Sequence, residues 1–411
     1  MTGRFLIERI KLPPNDAADT YGKTKRRSGG NKVKRIFLCV ALTASCAAIT
    51  TPLFASAGLE RRNIDTAFLF NPGTYAEFSQ AVIAPDFPGV AGNPAFSLES
   101  GMKATPSFNI TTAAVKSQIT DNLSVGVWYT SNGNGVNLDY GVITFVPTGF
   151  QSTVFAEVEA PTLAAMAKFN LSEGVSVIAG VKQVSLGKST LTLGSDSPFI
   201  AGAGIDATYT WETGTKSEVG AVYGLAYEVP EIALRAIVTF EEDIDITVDT
   251  TATSGAPVAT TGDGSVSIGD AINFSFQTGI AENTLLSAGM RFSRWLDNQV
   301  YVPTIGGPFQ VSDFGDDRSY SLGLGRKLSD QWSVSASLFN DPGDGRNVSE
   351  LEPGGDNTSL SLGARYSPSE ALNVSFGGTY SRRGNSNTEN FGVVFEESSV
   401  MTYGVKVGFN F

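Results

Sequence analysis

The last eleven residues, Met401 to Phe411, read M-T-Y-G-V-K-V-G-F-N-F. Met401, Tyr403, Val405, Val407, Phe409 and Phe411 fall on one face of a strand and Thr402, Gly404, Lys406, Gly408 and Asn410 on the other, because strand side chains alternate with a period of two. One face is wholly apolar and ends in an aromatic residue, whereas chain ends in water ordinarily fray. The pattern predicts the closing strand of a transmembrane barrel, with its apolar face on lipid, its polar face on the lumen and Phe409 and Phe411 at the seam.

The same alternation runs back along the chain. Tyr75 to Pro85 reads as a first strand, and a second ends at Gln118. Beyond it, six short turns each carry one acidic residue: Asp121, Glu173, Glu231, Glu282, Asp330 and Glu370, at spacings of 52, 58, 51, 48 and 40 residues. Each interval holds two strands of membrane-crossing length plus a longer connection at the far end. Ser131 to Gly149, Asp249 to Gly264 and Asp341 to Asn357 read as such connections, rich in Gly, Pro, Asp and Asn. Short turns at one end and long loops at the other are the asymmetry of an outer-membrane barrel. Six internal turns join seven hairpins, which makes fourteen strands with both ends of the barrel on the periplasmic side.

Charges within the strands test the orientation separately. The lipid-facing phase is set by residues such as Val175, Val177 and Ala179, or Leu360, Leu362 and Ala364, and Lys168, Lys182, Arg235, Arg291, Arg365 and Lys406 all occupy the opposite phase. A basic residue on lipid at the midplane costs about 2 to 4 kcal/mol, so these six are expected in the lumen. There they either neutralise carboxylates such as Glu77 or bind anionic head groups of a ligand. Arg235 and Arg291 are expected beside the Glu231 and Glu282 turns, in the periplasmic half.

Composition changes the picture at the N-terminus. Lys32, Lys34 and Arg35 precede an apolar run from Ile36 to Ile49 and then Ala55-Ser56-Ala57, the order of a signal peptide spanning 31–57. Residues 1–30 look like neither signal nor domain. Both cysteines, Cys39 and Cys46, lie in the apolar run, so a chain starting near Gly58 has no thiol chemistry. Residues 1–57 hold 10 of the 29 basic and 3 of the 41 acidic residues, leaving 19 basic and 38 acidic, a formal charge of −19. That balance argues against nucleic acid as a partner.

The chain has no histidine, which excludes Ser-His-Asp hydrolysis and the usual zinc sites. The acid clusters Glu241-Glu242-Asp243 with Asp245, Asp313 with Asp316 and Asp317, and Asp341 with Asp344 lack the spacing of a calcium loop and read as solvated loop or loop-base acids. Gly202-x-Gly204 and Gly323-x-Gly325 lie within strand patterns and read as small residues facing a crowded neighbour. No catalytic residue, metal or cofactor is predicted, and the expectation is a non-enzyme.

Ala226-Tyr227-Glu228-Val229-Pro230-Glu231-Ile232-Ala233-Leu234-Arg235 resembles the FadL family, outer-membrane transporters of long-chain fatty acids and other hydrophobic compounds. Phe276-Gln277-Thr278-Gly279-Ile280-Ala281 with Thr284-Leu285-Leu286 is similar to a second stretch of that family, and Asn71-Pro72-Gly73 resembles the Asn-Pro-Ala that ends its N-terminal hatch. The terminal Phe411 likewise resembles the signal read by the barrel assembly machinery of Gram-negative outer membranes. The resemblance implies a hatch at 58–73, shorter than is usual, inside a barrel at 74–411. It also implies passive uptake of an amphipathic or hydrophobic small molecule, with sideways release into membrane lipid at a kink in the third strand. That strand runs from Leu123 into Ser131-Asn132-Gly133-Asn134-Gly135, where Gly133 and Gly135 permit a bend. Two other readings share the barrel: a general diffusion porin with an open lumen, and a surface adhesin that uses only its outer loops.

Overall fold

The computed structural model describes residues 58–411 except 148, 194–208, 254–259, 305, 390 and 397. The signal segment 31–57, the extension 1–30, both cysteines and Gly202-x-Gly204 lie outside the described residues.

Fourteen antiparallel strands close into a barrel. They are β1 (Tyr75–Asp86), β2 (Phe108–Gln118), β3 (Leu123–Asp139), β4 (Val154–Ser172), β5 (Val175–Leu186), β6 (Lys216–Val229) and β7 (Leu234–Glu241). The wall continues through β8 (Ala271–Ala281), β9 (Thr284–Ser293), β10 (Asp317–Lys327), β11 (Trp332–Asp341), β12 (Asn357–Tyr366), β13 (Leu372–Arg383) and β14 (Ser399–Asn410). Each strand pairs with its neighbours in sequence, and β14 closes on β1 in a continuous register from Tyr75↔Asn410 to Asp86↔Ser399. Closure leaves no edge of unpaired backbone groups, the condition for spanning lipid with strands. The six acidic turns all join strands at one end of the barrel, so this is the short-turn end.

The outward phase is apolar all the way round. Leu225, Leu362 and Tyr403 remain 60%, 57% and 56% exposed, and Phe78, Val127, Leu163, Val238, Phe274, Leu324 and Val405 extend the belt. So large a continuous apolar surface is not tolerated in water but costs nothing against lipid chains. Tyr227, Trp332 and Phe409 stand at the short-turn end of the belt and Tyr320 and Tyr380 towards the other, the two aromatic girdles of a membrane barrel.

Two of the expected long connections are shorter than the composition suggests. β3 does not stop at Ser131 but continues to Asp139, because the alternation resumes with buried Val136 and Leu138. The stretch around 249–264 is largely a hairpin, Ile244–Thr253 paired with Thr260–Ile268. It belongs to an extension of the wall built from Thr190–Leu193, Tyr209–Thr213, Val300–Thr304 and Gly307–Gln310. Ile244, Ile246 and Val248 face inward there and Asp245, Thr247 and Asp249 outward, so these acids decorate a strand, not a loop. The connection from Asp341 to Asn357 lies where the sequence places it.

Candidate functional site

The residues that plug the lumen come from the start of the described chain. Gly58 to Asn71 passes inside the barrel, ending in one turn of 3-10 helix, Ala67–Phe70. Phe68 and Leu69 are buried against Trp128, Met166, Ile178 and Ile237. Gly126 makes room for them, since a Cβ there would lie 2.4 Å from the Phe68 ring. The Asn71-Pro72-Gly73 turn is held by Lys116, whose Nζ donates to the carbonyls of Asn71 at 2.8 Å and Gly73 at 2.7 Å. Lys116 is only 1% exposed, and two carbonyl acceptors satisfy an ammonium that has left water. Sequence reading passed over this residue, although its position one place from the exposed Val115 gives its inward phase.

All six bases named from phase are turned away from lipid, and Lys168, Lys182, Arg235, Arg291 and Lys406 face carboxylates. Lys168 and Arg235 share Glu228 at 3.3 and 3.0 Å, and both lie over the Phe70 ring at 4.3 and 4.5 Å. Lys406 reaches Glu77 at 3.3 Å, and Lys182 reaches Glu241 at 3.5 Å. Arg291 bonds Glu60 of the lumen segment, Glu241 at 2.9 Å and the Asn273 side chain at 2.6 Å. Arg365 is buried near Tyr75.

Two expectations are corrected here. Arg235 sits beside its turn, but Arg291 lies at the opposite end of β9 from Glu282, about nine residues or roughly 30 Å along the strand. Its partners Glu241 and Asn273 end β7 and begin β8 at the long-loop end. Glu241, Asp317 and Asp341 do stand at the bases of loops but are not solvated, at 4%, 4% and 1% exposed, because each occupies the inward phase of its strand end.

The third strand bends where expected. β3 and β4 pair in register to Thr130↔Thr162 and resume at Asn134↔Ala160, so residues 131–133 stand opposite Pro161 alone. Proline has no N–H to give to a ladder, and a bulge is the usual way to accommodate one. Gly135 has φ +145°, and a Cβ at Gly133 would lie 2.4 Å from the Thr162 hydroxyl, so glycine is required at both.

The bulge is stoppered by the lumen segment. Arg61 and Arg62 donate their backbone N–H groups to the Gly133 carbonyl at 2.9 and 3.0 Å, and the Gly135 N–H donates to Leu59 at 2.6 Å. Arg61 Nε adds a bond to the Gly135 carbonyl at 3.0 Å while its guanidinium covers the Phe108 ring at 4.2 Å. Burial there pulls Arg61 down to about 10.

Two cavities adjoin this stopper. On the long-loop side an almost wholly apolar pocket of about 40 Å³ is floored by Leu59 and walled by Leu191, Trp211, Val248, Val266 and Val302. On the other, a cavity of about 260 Å³ lies between Arg62–Ala67 and the inner faces of β7 to β11. Its wall includes Ser275, Ser287, Gly289, Ser319, Ser321 and Gly323, together with Arg235 and Arg291. Gly323 faces the crowded neighbour expected of it, 2.6 Å from Ser287 Oγ to an added Cβ.

A transmembrane barrel of fourteen strands, with the start of its chain seated against a bulge in the third strand, defines the class. Its fold is that of a FadL homologue of Pseudomonas aeruginosa, with a TM-score of 0.69 at 14% identity over 90% of this chain and 96% of that one. The toluene transporter TbuX of Ralstonia pickettii (TM-score 0.62, 14% identity, 88% and 98% covered) and the toluene transporter TodX of P. putida (0.61, 14%, 84% and 92%) share it. No protein-family model and no curated sequence matches the chain, so at this identity the likeness is one of fold.

Proposed function

We propose that this protein sits in the outer membrane of a Gram-negative bacterium and passes hydrophobic compounds across it passively, without catalysis. The observation that carries the reading is the stoppered bulge. An apolar pocket open towards the long loops meets the lumen segment at Leu59, directly above a gap in the β3–β4 ladder. The bulge lies about nine residues above the Asp121 turn, or roughly 21 Å across the membrane for a strand tilted near 45°. That height is within an apolar belt about 25 Å tall, so a displaced lumen segment opens the bulge to lipid. In this reading 58–73 is the hatch, and Asn71-Pro72-Gly73 is its anchor on Lys116.

The ligand class follows from the bases. Long-chain fatty acids remain within the FadL-like repertoire, but a carboxylate needs an uncommitted base, and Lys168, Arg235, Lys182, Arg291 and Lys406 already face protein carboxylates. The paired lumen therefore favours a neutral hydrophobe, in keeping with the solved likenesses that carry toluene. A porin reading is disfavoured because the lumen segment crosses the barrel from β3 to β9, bridging Asn134 and Arg291. Growth of a deletion strain on alkanes, monoaromatics and fatty acids as sole carbon sources tests the proposal. A defect confined to hydrophobic substrates supports it, and unimpaired growth on all of them with impaired growth on small polar solutes refutes it.

A further inference from the structure

The first described residue is half-buried in an unusual setting. Gly58 lies against the indole of Trp295, so closely that an added Cβ would be 2.3 Å from the ring, and its φ of +63° also favours glycine. Its backbone N–H donates to the carboxylate of Glu352, which the turn from Ser349 to Glu352 lowers onto the top of the lumen. Leu59 and Trp295, 2% and 1% exposed, flank this contact, in which Gly58 and Glu352 are themselves half-buried.

The surroundings are short of positive charge. Arg383 faces Asp317, Asp341, Glu352 and Asp356 together. Arg291 also reaches Asp317, yet is held by Glu60 and Glu241, where Lys182 and Arg62 are the other bases. Six carboxylates thus stand against four bases, and Asp317 and Asp341 lie against each other. Burial pushes the Glu352 carboxyl well above its ordinary range. A neutral amide donor does little to offset a buried anion.

Residues Ala55-Ser56-Ala57 immediately precede Gly58 and have the small-x-small form of a signal-peptidase site. Hydrolysis of the Ala57–Gly58 bond consumes one water, leaves a carboxylate on Ala57 and frees an amine on Gly58, which takes up a proton. We propose that the mature chain begins at Gly58 and that its α-ammonium is the counter-ion of Glu352, so that removal of the leader completes the ion network at the top of the lumen. The carboxylate contacted by a neutral N–H then faces three N⁺–H donors, and a charge-assisted bond replaces an ordinary one. The start of the chain is pinned at both ends of the stopper, by Glu352 at Gly58 and by Arg291 at Glu60.

The test uses full-length protein expressed with its leader and purified from outer membranes. Intact mass spectrometry is expected to give a chain starting at Gly58. An α-amine-selective aldehyde then titrates the terminal amine in folded protein across pH. Pairing with Glu352 holds the amine protonated, so its apparent pKa lies above the ordinary 7.7 to 8.0, and labelling at neutral pH slows about tenfold each time that pKa rises by one. Glu352→Gln keeps the shape and removes the charge, and is expected to restore most of that rate. A chain starting at another residue overturns the proposal, as do equal labelling rates in wild type and Glu352→Gln. Should the variant fail to fold, an amine pKa at or below the ordinary range in wild type overturns it alone.

Discussion

Glu60 and Asn134 form an antiparallel bridge between the lumen segment and the bulge, flanked by the Leu59–Gly135 and Arg61–Gly133 bonds. That pattern makes them a non-hydrogen-bonded pair, whose Cα atoms stand about 4.5 Å apart, within the range a disulfide spans. If the segment must leave the bulge for a ligand to pass, a Glu60→Cys/Asn134→Cys variant is a gate with a redox lock. Three backbone bonds and the Arg61 guanidinium bond hold the segment there. At about 0.5 to 1.5 kcal/mol for each backbone bond and 1.5 to 3 for the charged one, opening costs about 3 to 7 kcal/mol. The open fraction is then about 10⁻² to 10⁻⁵, enough for slow passive flux. Oxidation removes that fraction, and residues 58–411 hold no other cysteine to interfere. Flux of a neutral hydrophobe into proteoliposomes is expected to fall at least tenfold on oxidation and to return with a reductant. The reduced variant is expected to exceed wild type, since Arg291 has lost Glu60. Equal flux in the two redox states refutes the stopper.

Arg291→Ala strands Glu60 in a buried site and leaves Glu241 with Lys182 alone, and is expected to destabilise the folded barrel by about 3 to 5 kcal/mol, read as a lower temperature of heat modification on a gel. Arg235→Ala leaves Glu228 with Lys168, so both folding and the uptake ratio of a fatty acid to its methyl ester are expected to stay within about twofold; a selective loss of the acid shows that Arg235 binds head groups after all. Gly126→Leu drives a side chain into Phe68 and is expected to cost about 1 to 3 kcal/mol and to expose 58–73 to protease. Deleting Phe411, whose backbone N–H bonds the Thr74 carbonyl, is expected to lower the yield of inserted barrel, and normal yield counts against the role given to the closing strand.

Strand number and orientation were legible because each hairpin repeats the same two constraints. A short turn needs small and acidic residues, and the lipid face rejects charge at every second position, so Asp121 to Glu370 and Lys168 to Lys406 are independent witnesses of one architecture. The bend in β3 was visible in Gly133 and Gly135, and Pro161 on β4 would have located it more sharply, since its missing donor is a property of the residue itself. What alternation cannot show is who pairs with whom. Lys116 finds its acceptors more than forty residues back in the chain, and Glu60 meets Arg291 across 231 residues; nothing local marks either contact. Phase alone left the bases poised between ligand and structural partners, and distance along the strand, not proximity to an acidic turn, is what places Arg291 at the long-loop end.

Hydrophobic molecules are expected to cross this barrel without an open aqueous pore. Purified protein reconstituted in planar bilayers and in liposomes addresses it in a single preparation, by recording ion conductance and the flux of a neutral hydrocarbon with no energy source. The account predicts hydrocarbon flux well above protein-free liposomes with no steady conductance. Stable conductance of large, unselective steps, with hydrocarbon flux no greater than in protein-free liposomes, contradicts it.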